Sequence, residues 1–366
     1  MSSRNSRNTR YLSRREFMAR SVATSAAIAL PAIVPSSVFG ADAPSNRITM
    51  GCIGMGGQGT GDMKGFKGQS DCEVVAVCDV DASHAEKAAQ AAGLDAKACC
   101  KDFRDVLART DIDTILVATP DHWHVPVAIA AVRSGKDVYC EKPLTLTIAE
   151  GRRLADEAKR YGRVLQTGSQ QRSGAEFHNA CELVVNGRIG YLHTMRVGIS
   201  NNNRTCEPTW MPEPVPDGFD YDMWLGPAEW APYHTQRCHY QFRFLLEYSG
   251  GQMTNWGAHH LDIAQWGNQA DATGPVEISG KGEFPKTGLF TTAIKAEIEY
   301  TYANGVKMFL KSGGGGTRFE GTEGWIYVNR GKLEAEPASL LTSVIGPDEK
   351  RLYQSTDHKR NFLDCV

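Results

Sequence analysis

Along residues 46–167, short apolar runs alternate with stretches whose apolar residues recur at helical spacing. The runs are Arg47 to Ile53, Glu73 to Asp79, Ala96 to Cys100, Ile112 to Thr119, Asp137 to Cys140 and Val164 to Thr167. Between them Gly57 to Phe66, Asp102 to Arg109, Pro126 to Ser134 and Ile148 to Tyr161 read as helices, and another begins near Ser83. Ile112 to Thr119 contains the unbroken apolar stretch Ile115 to Ala118, as expected of a strand whose sheet is covered by helices on both faces. This alternation predicts an α/β domain with a doubly wound parallel sheet over residues 46–167.

The pattern changes in residues 168–355. A helix over 250–267 is followed by strands at Val276 to Glu283, Ile294 to Tyr302, Val306 to Lys311 and Thr322 to Asn329. Asn304-Gly305 joins two of these as a hairpin. An α+β domain with an open, mainly antiparallel sheet is predicted. Residues 356–366 begin an amphipathic helix without a stop signal, so the sequence is expected to be truncated there.

Chemistry enters with the glycines. Gly54-Met55-Gly56-Gly57-Gln58-Gly59 lies between a predicted strand and a predicted helix. In that context G-x-G-x-x-G allows a tight turn, close approach of a pyrophosphate and helix–strand packing. The motif alone carries little in a chain with 37 glycines. Asp79, which ends the second strand 20 residues beyond Gly59, strengthens it. A carboxylate there accepts hydrogen bonds from an adenosine ribose and repels a 2′-phosphate, so NAD is favoured over NADP. Asp81 either shares this role or caps the helix near Ser83. Glu141-Lys142-Pro143 ends another strand of the same sheet, and the residue before a proline is held extended. Gly54, Asp79, Thr119 and Lys142 therefore collect where ligands bind such sheets.

On these residues the chain resembles the glucose–fructose oxidoreductase and inositol dehydrogenase family (Gfo/Idh/MocA). The resemblance is carried by Gly54 to Gly59, by Thr119-Pro120 followed by His124, by Gly135 to Pro143 and by Gly250 to Asp262. It implies a Rossmann domain plus a substrate domain, cofactor contacts from Gly54, Gly56, Gly57, Gly59, Asp79, Thr119, Pro120, His124, Glu141 and Lys142, and a catalytic group of Lys142, Asn255 and His259. Lys142 would touch both substrate and nicotinamide ribose. Asn255 departs from the family pattern, which has Asp at that position in inositol dehydrogenases. It can bind hydroxyls but cannot take a proton. The family also implies a homo-oligomer formed through the exposed face of the second sheet.

The expected chemistry is oxidation of a secondary alcohol of a sugar or cyclitol. Lys142 stabilises alkoxide character as a cation, and His259, with an ordinary pKa of ~6.5, accepts the proton. Lys142 would be a base only if burial lowered its pKa. His260 turns about 100° from His259 and is expected to pack. No metal is expected: His259, His260 and Asp262 diverge on a helix, and Asp121-His122-Trp123-His124 falls in the nicotinamide-side loop. From Asn201 to Tyr248 aromatics and cations are dense, among them Trp230 and Arg237, which are expected to bind substrate. The alternative is that these aromatics pack a long irregular segment onto the domain.

Residues 1–41 combine six Arg with an apolar stretch from Val22 to Val34, and Ser13-Arg14-Arg15-Glu16-Phe17-Met18 resembles a twin-arginine export signal. A periplasmic or otherwise exported product without stable membrane insertion is expected, the twin-arginine machinery being a partner. Loss of 1–41 removes six Arg and one Glu and takes the formal charge from −2 to −7, a poor balance for nucleic-acid binding. Export of a folded enzyme implies that it keeps its cofactor. Cys206 and Cys238 are expected to pair after export, and Cys52, Cys78 and Cys140 to be buried core residues. Two rival functions remain: an NAD-dependent glycoside hydrolase using transient oxidation and elimination, and a cofactor-bound sugar-binding protein without turnover.

Overall fold

The structure, a computed structural model, describes residues 47–202 and 209–366; the expected export signal and Cys206 lie outside these residues. Six parallel strands form the first sheet: β1 (Ile48–Ile53), β2 (Cys72–Cys78), β3 (Cys99–Cys100), β4 (Thr114–Val117), β5 (Asp137–Cys140) and β6 (Leu165–Thr167). Their order is β3-β2-β1-β4-β5-β6, so the chain switches direction between β1 and β4. Helices α1 (Gly57–Lys67), α2 (Ala82–Ala92), α3 (Phe103–Ala108), α4 (Asp121–Arg133) and α5 (Ile148–Tyr161) supply the crossovers.

Burial explains the apolar runs. Ile115, Val117, Val138 and Cys140 face one core with Val106, Ala128 and Leu154, whereas Leu116 and Tyr139 face another with Met50, Met63 and Phe66. Each strand is thus apolar on both sides. Helix ends follow local chemistry: Thr147 and Glu150 form a capping box at α5, and Gly162 closes it at φ +61°. Helix α4 starts at Asp121, five residues before the expected Pro126. Pro126 lacks one donor of the helix ladder, yet buried neighbours on both sides hold the turn. Asp121, His122 and His124 are therefore buried helical residues and not loop residues.

The second domain is built from α6 (Ala175–Val185), β7 (Leu192–Ile199), α7 (Tyr221–Leu225), α8 (Gln252–Asn255), α9 (Gly257–Gly267) and six more strands. These are β8 (Pro275–Glu283), β9 (Lys295–Tyr302), β10 (Lys307–Ser312), β11 (Thr317–Gly321), β12 (Trp325–Asn329) and β13 (Lys332–Glu336). The order is β13-β12-β11-β7-β10-β9-β8, antiparallel except for the β7–β10 pair. Asn304-Gly305 does turn β9 into β10, with Gly305 at φ +83°. The expected helix over 250–267 is two helices, interrupted at Trp256.

Central strand β7 and helix α6 were absent from the sequence pattern as read. In β7 only Met195, Val197 and Ile199 are buried, and Arg196 and Gly198 interrupt the run. A two-residue period over three positions is easily lost without knowledge of the partner strands.

The C-terminal helix α10 (His358–Cys365) returns to the first domain. Phe362 is fully buried, edge-on to Phe66 and Tyr139 at 5.9 Å each, while Lys359 pairs with Asp62 at 3.0 Å and Arg360 with Asp71 at 2.5 Å. Phe362→Ala is expected to cost about 3–5 kcal/mol of stability in urea unfolding, because a ring-sized void opens beside α1. A loss below about 1 kcal/mol would show that α10 contributes little to the first domain.

Candidate active site

The carboxyl ends of β1, β2, β4 and β5 open on one cavity of about 700 Å³. Its glycine wall is sterically forced. A Cβ at Gly59 would sit 1.9 Å from the Gly54 carbonyl oxygen, and one at Gly54, where φ is +86°, would sit 2.5 Å from the Thr119 nitrogen. Gly56 and Gly57 differ: a Cβ at either meets nothing within 4 Å, and both line the cavity. This is room for a ligand and not for packing. Helix α1 has no side-chain cap at its start, so its first N–H groups are available to an anion.

Asp79 stands at the end of β2. Its Oδ2 accepts from the Met55 N–H at 2.6 Å and its Oδ1 from the Asp81 N–H at 2.9 Å. Each oxygen keeps a lone pair for a ribose hydroxyl. Asp81 caps α2, accepting from the Ser83 N–H at 2.9 Å, which settles the open choice for that residue. The glycine wall, the uncapped helix start and the carboxylate fit a dinucleotide with a free ribose.

Lys142 follows β5 at the far end of the cavity, and the peptide joining it to Pro143 is cis. Its Nζ donates to Asn255 Oδ1 at 2.9 Å and to the Asn255 carbonyl at 3.4 Å. Asn255 is fixed in turn by donating from Nδ2 to Gln252 Oε1 at 3.0 Å. His124 Nδ1 donates to the Pro143 carbonyl at 2.7 Å, which leaves Nε2 as the bare acceptor. That nitrogen, Thr119 Oγ1 and His259 Nδ1 are buried without a hydrogen-bond partner among the described residues, and all three residues line the cavity. Unpaired buried polar atoms at a cavity wall fit a site built for a polar ligand.

Burial governs the electrostatics. It lowers the Lys142 ammonium below its usual range, against the pull of Glu141 and Asp121. It also raises the carboxyls of Glu141 and Asp121. His259 is pushed down to about 3 by burial, reinforced by Lys142 and Arg330. The expectation of a His259 poised near 6.5 is corrected accordingly: it is a neutral imidazole in a cationic, dry setting. The condition for Lys142 to act as a base, a pKa lowered by burial, is met in direction.

The structure gathers Gly54, Gly56, Gly57, Gly59, Asp79, Thr119, Pro120, His124, Glu141, Lys142, Asn255 and His259 around this one cavity. Trp230 and Arg237 are not among its lining residues. Trp230 is 72% exposed, and Arg237 is buried against Trp210 with its Nε donating to the Pro232 carbonyl at 3.2 Å. The wall from that segment is instead Phe219, Met223, Trp224, His239, Tyr240, Phe242 and Arg243. Most of the aromatics there pack together, with Tyr221, Tyr233 and Tyr248 in one buried cluster, and the Trp224 carbonyl accepts from Trp123 Nε1 at 3.0 Å. His260 stacks on Trp256, and Asp262 pairs with Arg172 at 2.7 Å, so neither belongs to the site. Arg243 belongs to the segment expected to meet substrate and Trp123 to the nicotinamide-side stretch, and both line the cavity; His84 and Arg330 carried no signal in the sequence as read.

Three buried imidazoles make the protein acid-sensitive. Burial is the main cause that lowers His259 to about 3 and His260 and His122 to about 4, from 6.5. Within that window the unfolded chain binds protons that the folded chain excludes. Their stabilising contribution is therefore complete above 6.5 and is lost as pH falls toward 4. Glu141 and Asp121, raised by burial, act in the opposite sense over the same range, so the test is differential: from about pH 7 to about pH 4.5 the urea midpoint of the wild type is expected to fall relative to that of His122→Gln. A profile unchanged by that substitution would contradict the assignment.

Residues 48–169 match the model of the GFO_IDH_MocA oxidoreductase family, NAD-binding Rossmann fold, and residues 199–362 match the C-terminal alpha/beta domain of the same family. A glycosyl hydrolase family 109 protein of Shewanella pealeana is 32% identical over 190 residues, 45% of this chain and 40% of the relative. The myo-inositol 2-dehydrogenase of Thermotoga maritima is 30% identical over 148 residues, 40% of this chain and 44% of the relative. The chain thus spans less than half the length of these curated relatives. Among solved structures, an NAD-binding protein from Listeria innocua aligns with a TM-score of 0.59 at 23% identity, covering 79% of this chain and 74% of its own. Levoglucosan dehydrogenase in complex with NADH and levoglucosan aligns with a TM-score of 0.60 at 20% identity, covering 79% and 76%. These likenesses show the fold. Both domains and the glycine cradle agree, and the chain belongs to the Gfo/Idh/MocA oxidoreductase family with an NAD-binding Rossmann domain.

Proposed function

We propose that this protein is an exported NAD-dependent oxidoreductase acting on a secondary alcohol of a sugar or cyclitol, with its cofactor retained. The single observation that carries this reading is Lys142, half-buried at the carboxyl end of β5 in the cavity that Asp79 also lines, and hydrogen-bonded across the domains to Asn255 at 2.9 Å. Bound NAD supplies the acceptor for the hydrogen of the alcohol carbon. The chain's own residues handle the proton. Lys142, lowered by burial, takes it from the hydroxyl as a neutral amine, and Asn255 Oδ1 orients that amine. His259, neutral, accepts or donates one hydrogen bond to the substrate and carries no charge. Trp123, Trp224, Phe242 and Trp256 offer flat faces for sugar C–H surfaces, and Arg243 and Arg330 offer donors for hydroxyls or a carboxylate.

The 30% identity with an inositol 2-dehydrogenase supports the alcohol class. Export rests on Arg14-Arg15 and the apolar stretch after them. Among the described residues no helix is long and apolar enough to cross a membrane. Self-association is proposed through the second sheet, where edge strand β8 exposes Val276 and Ile278 on one side. A second reading, glycoside cleavage through transient oxidation and elimination, is favoured by the similarity to glycosyl hydrolase family 109 proteins.

Denaturing the purified protein is expected to release close to one NAD(H) per chain, and Lys142→Ala to lower kcat/KM on sugars or cyclitols by about 10²–10⁴-fold. An empty protein that also fails to bind added NAD would sink the reading. Glycoside cleavage without net reduction of the cofactor would select the second. Asn255→Asp puts a carboxylate against Lys142 and near His259, which favours both charged forms. The acidic limb of the kcat/KM–pH profile, where Lys142 must lose its proton to act as base, is expected to move to higher pH by about one unit; an unmoved limb would remove Lys142 from the proton step.

A further inference from the structure

We propose that Asp81, His84 and His239 form a binding site for a divalent ion of the Zn2+ type, clamping the second domain to the first at the wall of the cofactor cavity. The three residues come from separate places: the cap of α2, its first turn, and a 3-10 turn (His239–Phe244) of the second domain. Asp81 Oδ2 lies 3.9 Å from His84 Nε2 and 3.9 Å from His239 Nε2, and all three ligand atoms lie within 4.8 Å of one another. A tetrahedral Zn2+ holds its ligand atoms about 3.3–3.5 Å apart, so small ring rotations suffice.

The roles of the remaining atoms fit. Asp81 Oδ1 is engaged with the Ser83 N–H, which leaves Oδ2 facing the two imidazoles. His84 Nδ1 points back to Asp79 Oδ2 at 3.6 Å. A carboxylate behind a ligating imidazole is the usual outer partner that fixes its tautomer and raises its basicity. The segment bearing His239 is anchored beside Asp81 by Ala82 N–H donating to the Gly218 carbonyl at 2.9 Å and Asp220 N–H to the Val80 carbonyl at 2.9 Å. His239 itself holds φ +51°, outside the usual range for a residue with a side chain, and its ring meets that of His84 edge-on at 5.0 Å. Two imidazoles and one carboxylate suit Zn2+ over Mg2+ or Ca2+, and three protein ligands leave a vertex for water.

No metal was expected from the sequence, because helical spacing was tested within single segments. Here His239 lies more than 150 residues beyond Asp81 and His84, and only the fold joins it to them.

The test uses the full-length protein, stripped with a chelator, with its nucleotide content read in the same sample. Titration with Zn2+ is expected to give one ion per chain. His84→Ala and His239→Ala should each weaken it by more than about 100-fold, beyond the loss of an outer partner. Co2+ should give the visible bands of a tetrahedral site in the wild type and lose them in both variants. Absence of stoichiometric Zn2+, or equal affinity in the variants, overturns the proposal and leaves the cofactor reading standing, since NAD is measured separately.

Discussion

A lysine ammonium taken out of water must be paired, and in this protein the partner of Lys142 belongs to the other domain. The Lys142–Asn255 hydrogen bond spans the cavity floor and ties the end of β5 to the start of the paired helices α8 and α9. Removing charge from water is costly, so the group either finds a partner or gives up its proton. Asn255 is neutral, which supports the first route weakly and so leaves the second open. His259 is likewise buried and faces the cations Lys142 and Arg330, which disfavour its charged form. Burial is the leading cause of the downward shift at both Lys142 and His259, and the amide of Asn255 adds no negative charge to oppose it.

The geometry of that floor depends on two kinds of packing. The parallel sheet delivers Gly54, Asp79, Thr119 and Lys142 to one edge because all its strands point the same way. The segment from Phe219 to Tyr248 then closes over this edge by aromatic packing on α4, with the Trp224 carbonyl accepting from Trp123. It supplies apolar faces to the cavity wall, while Arg243 and His239 are presented from its 3-10 turn.

The first domain was legible because its signals are local and redundant. Apolar runs buried on both faces, the glycine turn and Asp79 each point to the same sheet, and the helices carry their own caps. Asn304-Gly305 was readable for the same reason. Strand β7 was not: its three inward residues gain meaning only beside β10 and β11. The start of α4 was misread because Pro126 is a local break signal that tertiary packing overrides.

The sequence by itself determined the cofactor cradle, since steric fit at Gly54 and Gly59 and charge at Asp79 are properties of short segments. It also named Lys142, Asn255 and His259. Only the tertiary structure decided which aromatic and cationic residues face the cavity, turning Trp230 outward, burying Arg237 and bringing Arg243 and Arg330 in. It alone decided the protonation of the site, because pKa values follow burial and the charges that distant segments bring within reach. Composition and spacing carry no record of either.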